Sequence, residues 1–186
     1  MKKITLLGDS IRLIGYGTKV PELLGEDFTV YQPKENCRFS SHTLRGIFDW
    51  KEEMKGSDVI HWNNGLWDIC AIFEKGEPFT PLEYYLDNME RIARELLKIT
   101  PRVIFATTTP VLEGHPYNSN ALIDKYNEAA MKRLSPLDVM INDLHTLVNE
   151  KKDEYLKEDK VHLNEKGIDA AARQVVSCIL KSLEKE

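Results

Sequence analysis

Length, composition and charge exclude several classes of protein. The chain has 186 residues, of which 42% are hydrophobic, and this is enough for one domain with a full hydrophobic core across residues 1–186. The formal net charge is −5, and the basic residues are scattered among acidic ones rather than gathered in a stripe. We therefore expect neither a nucleic-acid partner nor binding to an anionic membrane surface.

The cysteines and the first residues indicate a reducing compartment. The chain has three cysteines, Cys37, Cys70 and Cys178, with no C-x-x-C pair and no histidine at zinc spacing. We expect reduced thiols, no structural metal and no cofactor. Met1-Lys2-Lys3 leads directly into strand-like sequence, without the apolar stretch of a signal peptide or a membrane span. The expected location is the cytoplasm, or outside the cell if the gene encodes a signal peptide before Met1.

Short apolar runs alternate with helical segments along the chain. Five of these runs are rich in Ile, Val, Phe and Thr, and they are continuous rather than alternating. Such runs are typical of strands that are covered on both faces. The predicted strands are Lys3–Leu7, Phe28–Tyr31, Asp58–Trp62, Val103–Ala106 and Val139–Asn142.

Two longer segments show the apolar spacing of an amphipathic helix. The first is predicted to begin at Thr80-Pro81, with Thr80 as N-cap and Pro81 at the first helical position, and to end at Thr100-Pro101. The second is predicted to begin after Asn164 and to run to the C-terminus. Alternating strands and helices with right-handed crossovers predict an α/β domain with a five-stranded, mainly parallel, doubly wound sheet.

Polar residues follow four of the predicted strands and precede the last helix. In a doubly wound sheet, ligands bind beyond the carboxyl ends of the strands, so these residues are expected at one edge. They are Gly8-Asp9-Ser10, residues 36–41, His61 to Gly65, Thr107 to Pro110, and the pair Asp159 and His162.

Three of these residues are the parts of a nucleophilic triad. The hydroxyl of Ser10 is a poor nucleophile until a base takes its proton, and a neutral imidazole such as that of His162 is suited to this task. Asp159 lies three residues before His162, close enough to orient the imidazole and to stabilise the imidazolium. Each residue also has a structural interpretation, because Ser10 can cap a helix and Asp159 can be a solvated surface acid. Their joint placement at one edge favours catalysis.

The order of these blocks resembles that of the GDSL (SGNH) hydrolase family. Gly8-Asp9-Ser10 matches the nucleophile block, Asn64 matches the asparagine of the third block, and Asp159-x-x-His162 matches the last block. The resemblance spans nearly the whole chain. It implies a serine esterase or lipase on a flavodoxin-like sheet, in a three-layer α/β/α sandwich.

The resemblance also implies an oxyanion hole. Its donors would be the backbone N–H groups of Ser10 and Cys37 and the side-chain amide of Asn64. Cys37 is the favoured position for the second-block glycine, and Gly46 is the alternative. In the third block, the chain has Trp62 where a glycine is usual and Gly65 where an aspartate is usual.

Compactness favours a small acyl group. We expect a carboxylic-ester hydrolase that acts on short acyl (acetyl) esters, possibly of a carbohydrate, with Trp62, Asn63 and Trp67 binding the substrate. One alternative is a non-catalytic binding module of the same family. An FMN-binding flavodoxin-like protein is a weaker alternative, because Ile11-Arg12-Leu13-Ile14 after Ser10 does not form a phosphate-binding loop. The sequence predicts nothing about the oligomer.

Overall fold

A computed structural model of the protein describes residues 1–73 and 76–184. At its centre is a parallel sheet with the strand order β2-β1-β3-β4-β5. This order is that of flavodoxin-like doubly wound sheets, so the predicted fold class is confirmed. The strands are β1 (Lys2–Leu7), β2 (Phe28–Tyr31), β3 (Val59–Asn63), β4 (Val103–Ala106) and β5 (Val139–Asn142). All five predicted strands are present, and only the bounds of β1 and β3 differ by one residue.

Burial follows the position of each strand in the sheet. Every residue of β3 and β4 is buried, whereas β2 and β5, at the two edges, are partly exposed. The continuous apolar runs of the inner strands therefore face helices on both sides.

Helices cover both faces of this sheet. On one face, the C-terminal helix packs against the short helices that follow β1 and β5. On the other face, the long helix between β3 and β4 packs between its two helical neighbours. The helices are α1 (Ser10–Leu13), α2 (Val20–Leu24), α3 (Ser40–Asp49), α4 (Lys51–Met54), α5 (Leu66–Ile69), α6 (Leu82–Leu97), α7 (Asn120–Leu134), α8 (Leu144–Asn149), α9 (Lys152–Tyr155) and α10 (Glu165–Glu184), with a 3₁₀ turn at Tyr16–Thr18.

The two predicted long helices correspond to α6 and α10. The first begins one residue later than expected, because Pro81 rather than Thr80 is the N-cap and Leu82 is the first helical residue. Thr80 instead donates its N–H to the carbonyl of Asp68 at 2.8 Å. Asn164 precedes α10 and accepts the N–H of Gly167 with its side chain, so the predicted start of that helix is confirmed.

Three further features concern the described part of the chain. Within residues 1–73 and 76–184, no helix is long and apolar enough to cross a membrane. In the same ranges, no three His, Cys, Asp or Glu side chains lie together as a metal site would require. Cys37 is a buried free thiol, and Cys70 and Cys178 are half-buried free thiols.

Candidate active site

Ser10 lies at the turn between the first strand and the first helix. Asp9 has an extended backbone and is the N-cap of α1, where its Oδ1 accepts the N–H of Ile11 at 2.9 Å. A Cβ atom at Gly8 would lie 2.0 Å from Oδ1 of Asn63, so only glycine fits at this point of the turn. Because Ser10 is the first helical residue, its N–H has no partner within the helix.

The structure brings the three predicted triad residues together in the order nucleophile, base and carboxylate. His162 Nε2 lies 3.0 Å from Ser10 Oγ, and His162 Nδ1 lies 2.9 Å from Asp159 Oδ2. With Asp159 ionised, Nδ1 carries the proton of the neutral imidazole, and the lone pair of Nε2 faces the hydroxyl. The side chains of His162 and Asp159 are 28% and 46% exposed, so the triad lies at the protein surface.

Backbone N–H groups hold the carboxylate of Asp159 in place. Its Oδ1 accepts the N–H of Val161 at 3.1 Å and that of His162 at 2.9 Å. Partial burial raises the pKa of Asp159, but these bonds and the imidazole of His162 more than offset it and lower the pKa to about 2. Asp159 is therefore ionised at every pH at which the protein is expected to work.

The loop that carries Asp159 and His162 makes a tight turn at Lys160. Lys160 has a φ of +69°, which is uncommon for a residue with a side chain. Its carbonyl accepts the N–H of Leu112 at 2.9 Å, and this bond ties the loop to the segment after β4. Leu156 and Leu163 form an antiparallel bridge across the base of the loop. The turn thereby presents Asp159 beneath the imidazole.

Cys37 is not placed to stabilise an oxyanion, and this prediction is wrong. Its N–H donates to the carbonyl of Gly8 at 3.1 Å, and the residue is fully buried. The alternative, Gly46, lies inside α3, where a Cβ atom would lie 2.3 Å from the ring of Trp50. Neither residue presents a free donor to Ser10.

Arg38, one residue after Cys37, has the backbone conformation that the second-block glycine would favour. Its φ is +51°, a region that glycine enters far more readily than other residues. Its N–H donates to Oδ1 of Asn36 at 2.7 Å. Nothing in the residue type of an arginine indicates such a φ, so the sequence alone does not identify this position.

Asn64 connects two neighbouring segments in this structure. Its buried Nδ2 donates to the carbonyl of Arg38 at 3.0 Å and to Oγ1 of Thr43 at 2.9 Å. Both hydrogens of the amide are therefore engaged, and neither is directed at an oxyanion, which differs from the prediction. In the described residues, its buried Oδ1 has no hydrogen-bond partner.

Two of the three predicted substrate-binding residues lie inside the protein. Trp62 is fully buried in β3, and its ring packs against Phe105 with 5.1 Å between centroids, so it cannot contact a substrate. Asn63 is also buried, and it binds Asp9 and Tyr16. Asn63 was expected to follow the third strand and to face the site, but β3 extends through Asn63. Trp67 is 42% exposed and remains a predicted substrate contact.

A buried arginine that the sequence alone does not reveal fixes the turn before Ser10. The guanidinium of Arg12 donates to the carbonyls of Pro33, Gly8 and Glu35 at 2.8, 3.0 and 2.8 Å. Arg12 therefore joins the loop after β2 to the end of β1. A single arginine on the first helix gave no signal of this role, because its acceptors are main-chain carbonyls.

A void too small to admit a water molecule lies between α1 and the ends of β3 and β4, and neither Ser10 nor His162 lines it. Its walls are Asp9, Ile11, Asn63, Leu66, Thr107, Thr108, Thr109 and Leu144.

Comparison with known proteins gives one related sequence and several related structures. No protein-family model matches the chain. It is 27% identical over 165 residues to "GDSL esterase/lipase WDL1" of Oryza sativa subsp. japonica, an alignment that covers 80% of this chain and 63% of that protein. The chain thus spans less than two thirds of the length of this relative.

Three solved structures illustrate the shared fold. A lipase/acylhydrolase from Enterococcus faecalis has a TM-score of 0.82 at 19% identity and covers 100% of this chain and 99% of its own. The acetyl xylan esterase AlAXEase has a TM-score of 0.79 at 19% identity, and the match covers 95% of this chain and 99% of that one. A member of the lipolytic protein G-D-S-L family from Veillonella parvula has a TM-score of 0.74 at 16% identity, and the match covers 95% of this chain and 97% of that one. The chain is thus similar to GDSL (SGNH) hydrolases in sequence and in fold, as its sequence blocks predict.

Proposed function

We propose that the protein is a serine hydrolase that cleaves a carboxylic ester through an acyl-serine intermediate. The observation that carries this proposal is the contact of 3.0 Å between Ser10 Oγ and His162 Nε2, with Asp159 on the other side of the imidazole. Nucleophile, base and orienting carboxylate are thus in hydrogen-bond reach before any substrate arrives.

In the first half of the reaction, Ser10 Oγ attacks the ester carbonyl while its proton passes to His162 Nε2. Asp159 stays ionised and stabilises the imidazolium. The tetrahedral intermediate then breaks its bond to the alcohol oxygen, which leaves with the proton from Nε2. The acyl group remains on Ser10.

In the second half, water takes the place of the alcohol. His162 Nε2 accepts a proton from the water as its oxygen attacks the acyl-serine carbonyl. The bond to Ser10 Oγ breaks, Nε2 returns the proton to Oγ, and the carboxylic acid leaves. The chain is thereby restored for another turnover.

The oxyanion needs fixed donors, and we assign the first to the N–H of Ser10. For the second, we assign the N–H of Arg38, which is held by the half-buried side chain of Asn36 at 2.7 Å. Rotation of the Asn36 side chain frees the Arg38 N–H at the cost of one hydrogen bond, whereas the buried amide of Asn64 would have to leave two acceptors. Removal of one such donor commonly lowers turnover about a hundredfold or more.

The surface position of the triad supports an ester of a bulky, polar alcohol. The surface position of His162 leaves room for a bulky alcohol above the triad. Two solved structures that share the fold are described as acetylxylan esterases. An acetyl ester of a carbohydrate is the substrate class we propose, with Trp67 as a contact for the sugar.

A non-catalytic binding module is the second candidate. The observation in its favour is that two predicted oxyanion donors, Cys37 and Asn64, are engaged elsewhere. Such a protein would bind an ester without turning it over. Only the hydrolase would cleave an ester and form a covalent bond between its acyl group and Ser10, so one experiment separates the two candidates.

The test compares hydrolysis of p-nitrophenyl acetate with that of p-nitrophenyl octanoate. We expect the acetate to be cleaved faster, Ser10→Ala to lose activity, and Ser41→Ala, an exposed serine on α3, to retain it. Equal rates for the native protein and Ser10→Ala would exclude the proposed hydrolase and favour the binding module. A preference for octanoate would exclude the short acyl group.

A further inference from the structure

A chain of buried polar side chains ends on the residue before the nucleophile. It begins at Gln174 on α10 and crosses beneath the carboxyl edge of the sheet to Asp9. Its inner members are Tyr16, His61, Asn63 and Asn142, and no inner member or Asp9 is more than 5% exposed. None of these side chains has a part in the ester cleavage described above.

The first half of the chain has a fixed direction. Gln174 Nε2 donates to Oδ1 of Asn142 at 2.8 Å, and Asn142 Nδ2 lies 3.0 Å from Nε2 of His61. An amide nitrogen has only hydrogens to offer, so His61 Nε2 must be the acceptor. Burial lowers the pKa of His61 to about 3, so the ring is neutral and its single proton is on Nδ1.

The second half continues in the same direction. His61 Nδ1 faces the hydroxyl of Tyr16 at 3.4 Å, and this hydroxyl donates to Oδ1 of Asn63 at 2.7 Å. Asn63 Nδ2 then donates to Oδ1 of Asp9 at 2.9 Å. Every donor points toward Asp9, and hydrogen bonds in such a chain polarise one another.

This direction favours the ionised form of Asp9. Asn63 Nδ2 donates a hydrogen to Oδ1, and hydrogen bonds donated to a carboxylate favour its charged form. Oδ1 of Asp9 also accepts the N–H of Ile11. Burial raises the pKa of Asp9 above its usual value, and the hydrogen bonds from Asn63 and the Ile11 N–H, with the charges of Arg12 and His162, offset this rise only in part. These are the groups that face the carboxylate.

We propose that the chain from Gln174 to Asn63 keeps Asp9 ionised, and that Asp9 is a positioning residue for the triad. As N-cap of α1, it fixes the first turn on which Ser10 is carried. Its buried charge lies on the residue next to Ser10, whose Oγ is 3.0 Å from His162 Nε2, and from there it stabilises the imidazolium that forms when Ser10 gives up its proton. This inference rests on the proposed function.

The test measures the rate at which a fluorophosphonate labels Ser10 as a function of pH. In the native protein, we expect labelling to become faster as His162 loses its proton. Tyr16→Phe removes only the hydroxyl that joins the two halves of the chain. Tyr126→Phe is the matched control, because that buried hydroxyl donates to the carbonyl of Thr80 at 2.8 Å and lies outside the chain.

We expect Tyr16→Phe and Asp9→Asn to move the midpoint of this pH profile to lower pH. The shift should approach one pH unit for Asp9→Asn and be smaller for Tyr16→Phe, because the variants weaken or remove a negative charge that favours the imidazolium. In Tyr126→Phe the midpoint should stay unchanged. Thermal unfolding confirms that each variant is folded, and Tyr16→Phe alone decides the test if Asp9→Asn does not fold.

The outcomes distinguish this inference from the proposed function. A native protein that is never labelled would overturn the proposed function, and the inference with it. Labelling of the native protein, with the same midpoint in Tyr16→Phe and in Tyr126→Phe, would overturn the inference alone. In that case the chain only stabilises the fold.

Discussion

His162 Nε2 lies 3.0 Å from Ser10 Oγ, although 152 residues separate them along the chain. The contact forms because Ser10 follows the inner strand β1, whereas His162 precedes α10. This helix packs on the same face of the sheet as the short helices after β1. Parallel strands end at one edge of the sheet, so distant parts of the sequence meet there.

Loss of the Asp159 carboxylate should impair turnover far more than stability. In Asp159→Asn, the amide can donate to Nδ1 and so favours the wrong tautomer of His162. We expect kcat with p-nitrophenyl acetate to fall about a thousandfold or more. The control is Asp153→Asn, an exposed acid on α9, which should keep its activity. Equal rates in the two variants would show that Asp159 has no part in the reaction.

Asp159 also affects stability in acid. Its pKa is lowered from 3.8 to about 2 in the folded protein. Ionised Asp159 therefore stabilises the fold above about pH 4, and this contribution is lost as the pH falls toward 2. In urea unfolding, the native protein should lose stability relative to Asp159→Asn across this interval. A constant difference between pH 5 and pH 2 would contradict the pKa.

Asn36 should be dispensable if the N–H of Arg38 is an oxyanion donor. In Asn36→Ala, this N–H loses its acceptor at 2.7 Å and is free to meet the developing negative charge. We expect kcat with p-nitrophenyl acetate to stay within about threefold of the native value, or to rise, because a competing hydrogen bond is gone. A loss of tenfold or more, in a variant with native thermal stability, would contradict the assignment.

Asp68 makes stability depend on pH in the opposite sense from Asp159. Burial raises the pKa of this carboxyl from 3.8 to about 6, against the hydrogen bonds from the Ser40 hydroxyl, from Thr80 and from the Ser40 N–H. The folded state binds the proton more tightly than the unfolded state does. The stabilisation is thus complete below about pH 4 and is lost as the pH rises through 6.

The matching measurement is urea unfolding at pH 7.5 and pH 4.5. Relative to Asp68→Asn, the native protein should gain about 2 kcal/mol of unfolding free energy at the lower pH. Asp27→Asn, which changes an exposed acid, should follow the native protein. If the native protein and Asp68→Asn respond equally to pH, the raised pKa is wrong.

The conformation of Lys160 predicts an unusual pair of substitutions. At a φ of +69°, glycine is unstrained and a β-branched residue is strongly disfavoured. We expect Lys160→Gly to unfold within about 1 kcal/mol of the native protein and Lys160→Val to be destabilised by about 1 to 3 kcal/mol. Lys160→Val should also slow turnover, because the turn places Asp159. Equal stability of the two variants would show that the turn is not strained.

The sheet and the triad could be predicted because they depend on local patterns. Continuous apolar runs mark buried strands, and a parallel sheet brings their polar ends to one edge. Ser10, Asp159 and His162 offer a hydroxyl, a carboxylate and an imidazole, so residue type and spacing predict that they lie together, as they do in the structure.

The oxyanion hole could not be predicted in the same way. A backbone donor depends on which N–H is left free by the loop, and residue type says little about this. Cys37 gives its N–H to Gly8, whereas the positive φ falls on Arg38. The need for glycine at position 65 could not be predicted either. A Cβ atom there would lie 1.9 Å from Oγ1 of Thr108, a residue that follows a different strand.

The chain of hydrogen bonds from Gln174 to Asp9 could not be predicted from the sequence, for a different reason. Tyr16, His61, Asn142 and Gln174 lie on four separate elements, and each residue alone has an ordinary structural interpretation. Only their register in three dimensions gives the donors a common direction.

The most direct test of the central claim is to trap the acyl-serine. The protein is quenched in acid during turnover of p-nitrophenyl acetate, and its mass and peptides are measured. We predict one added acetyl group per chain, located on Ser10 and absent from Ser10→Ala. Hydrolysis of the ester by the native protein with no acetyl group on Ser10, or at the same rate in Ser10→Ala, would contradict the serine mechanism.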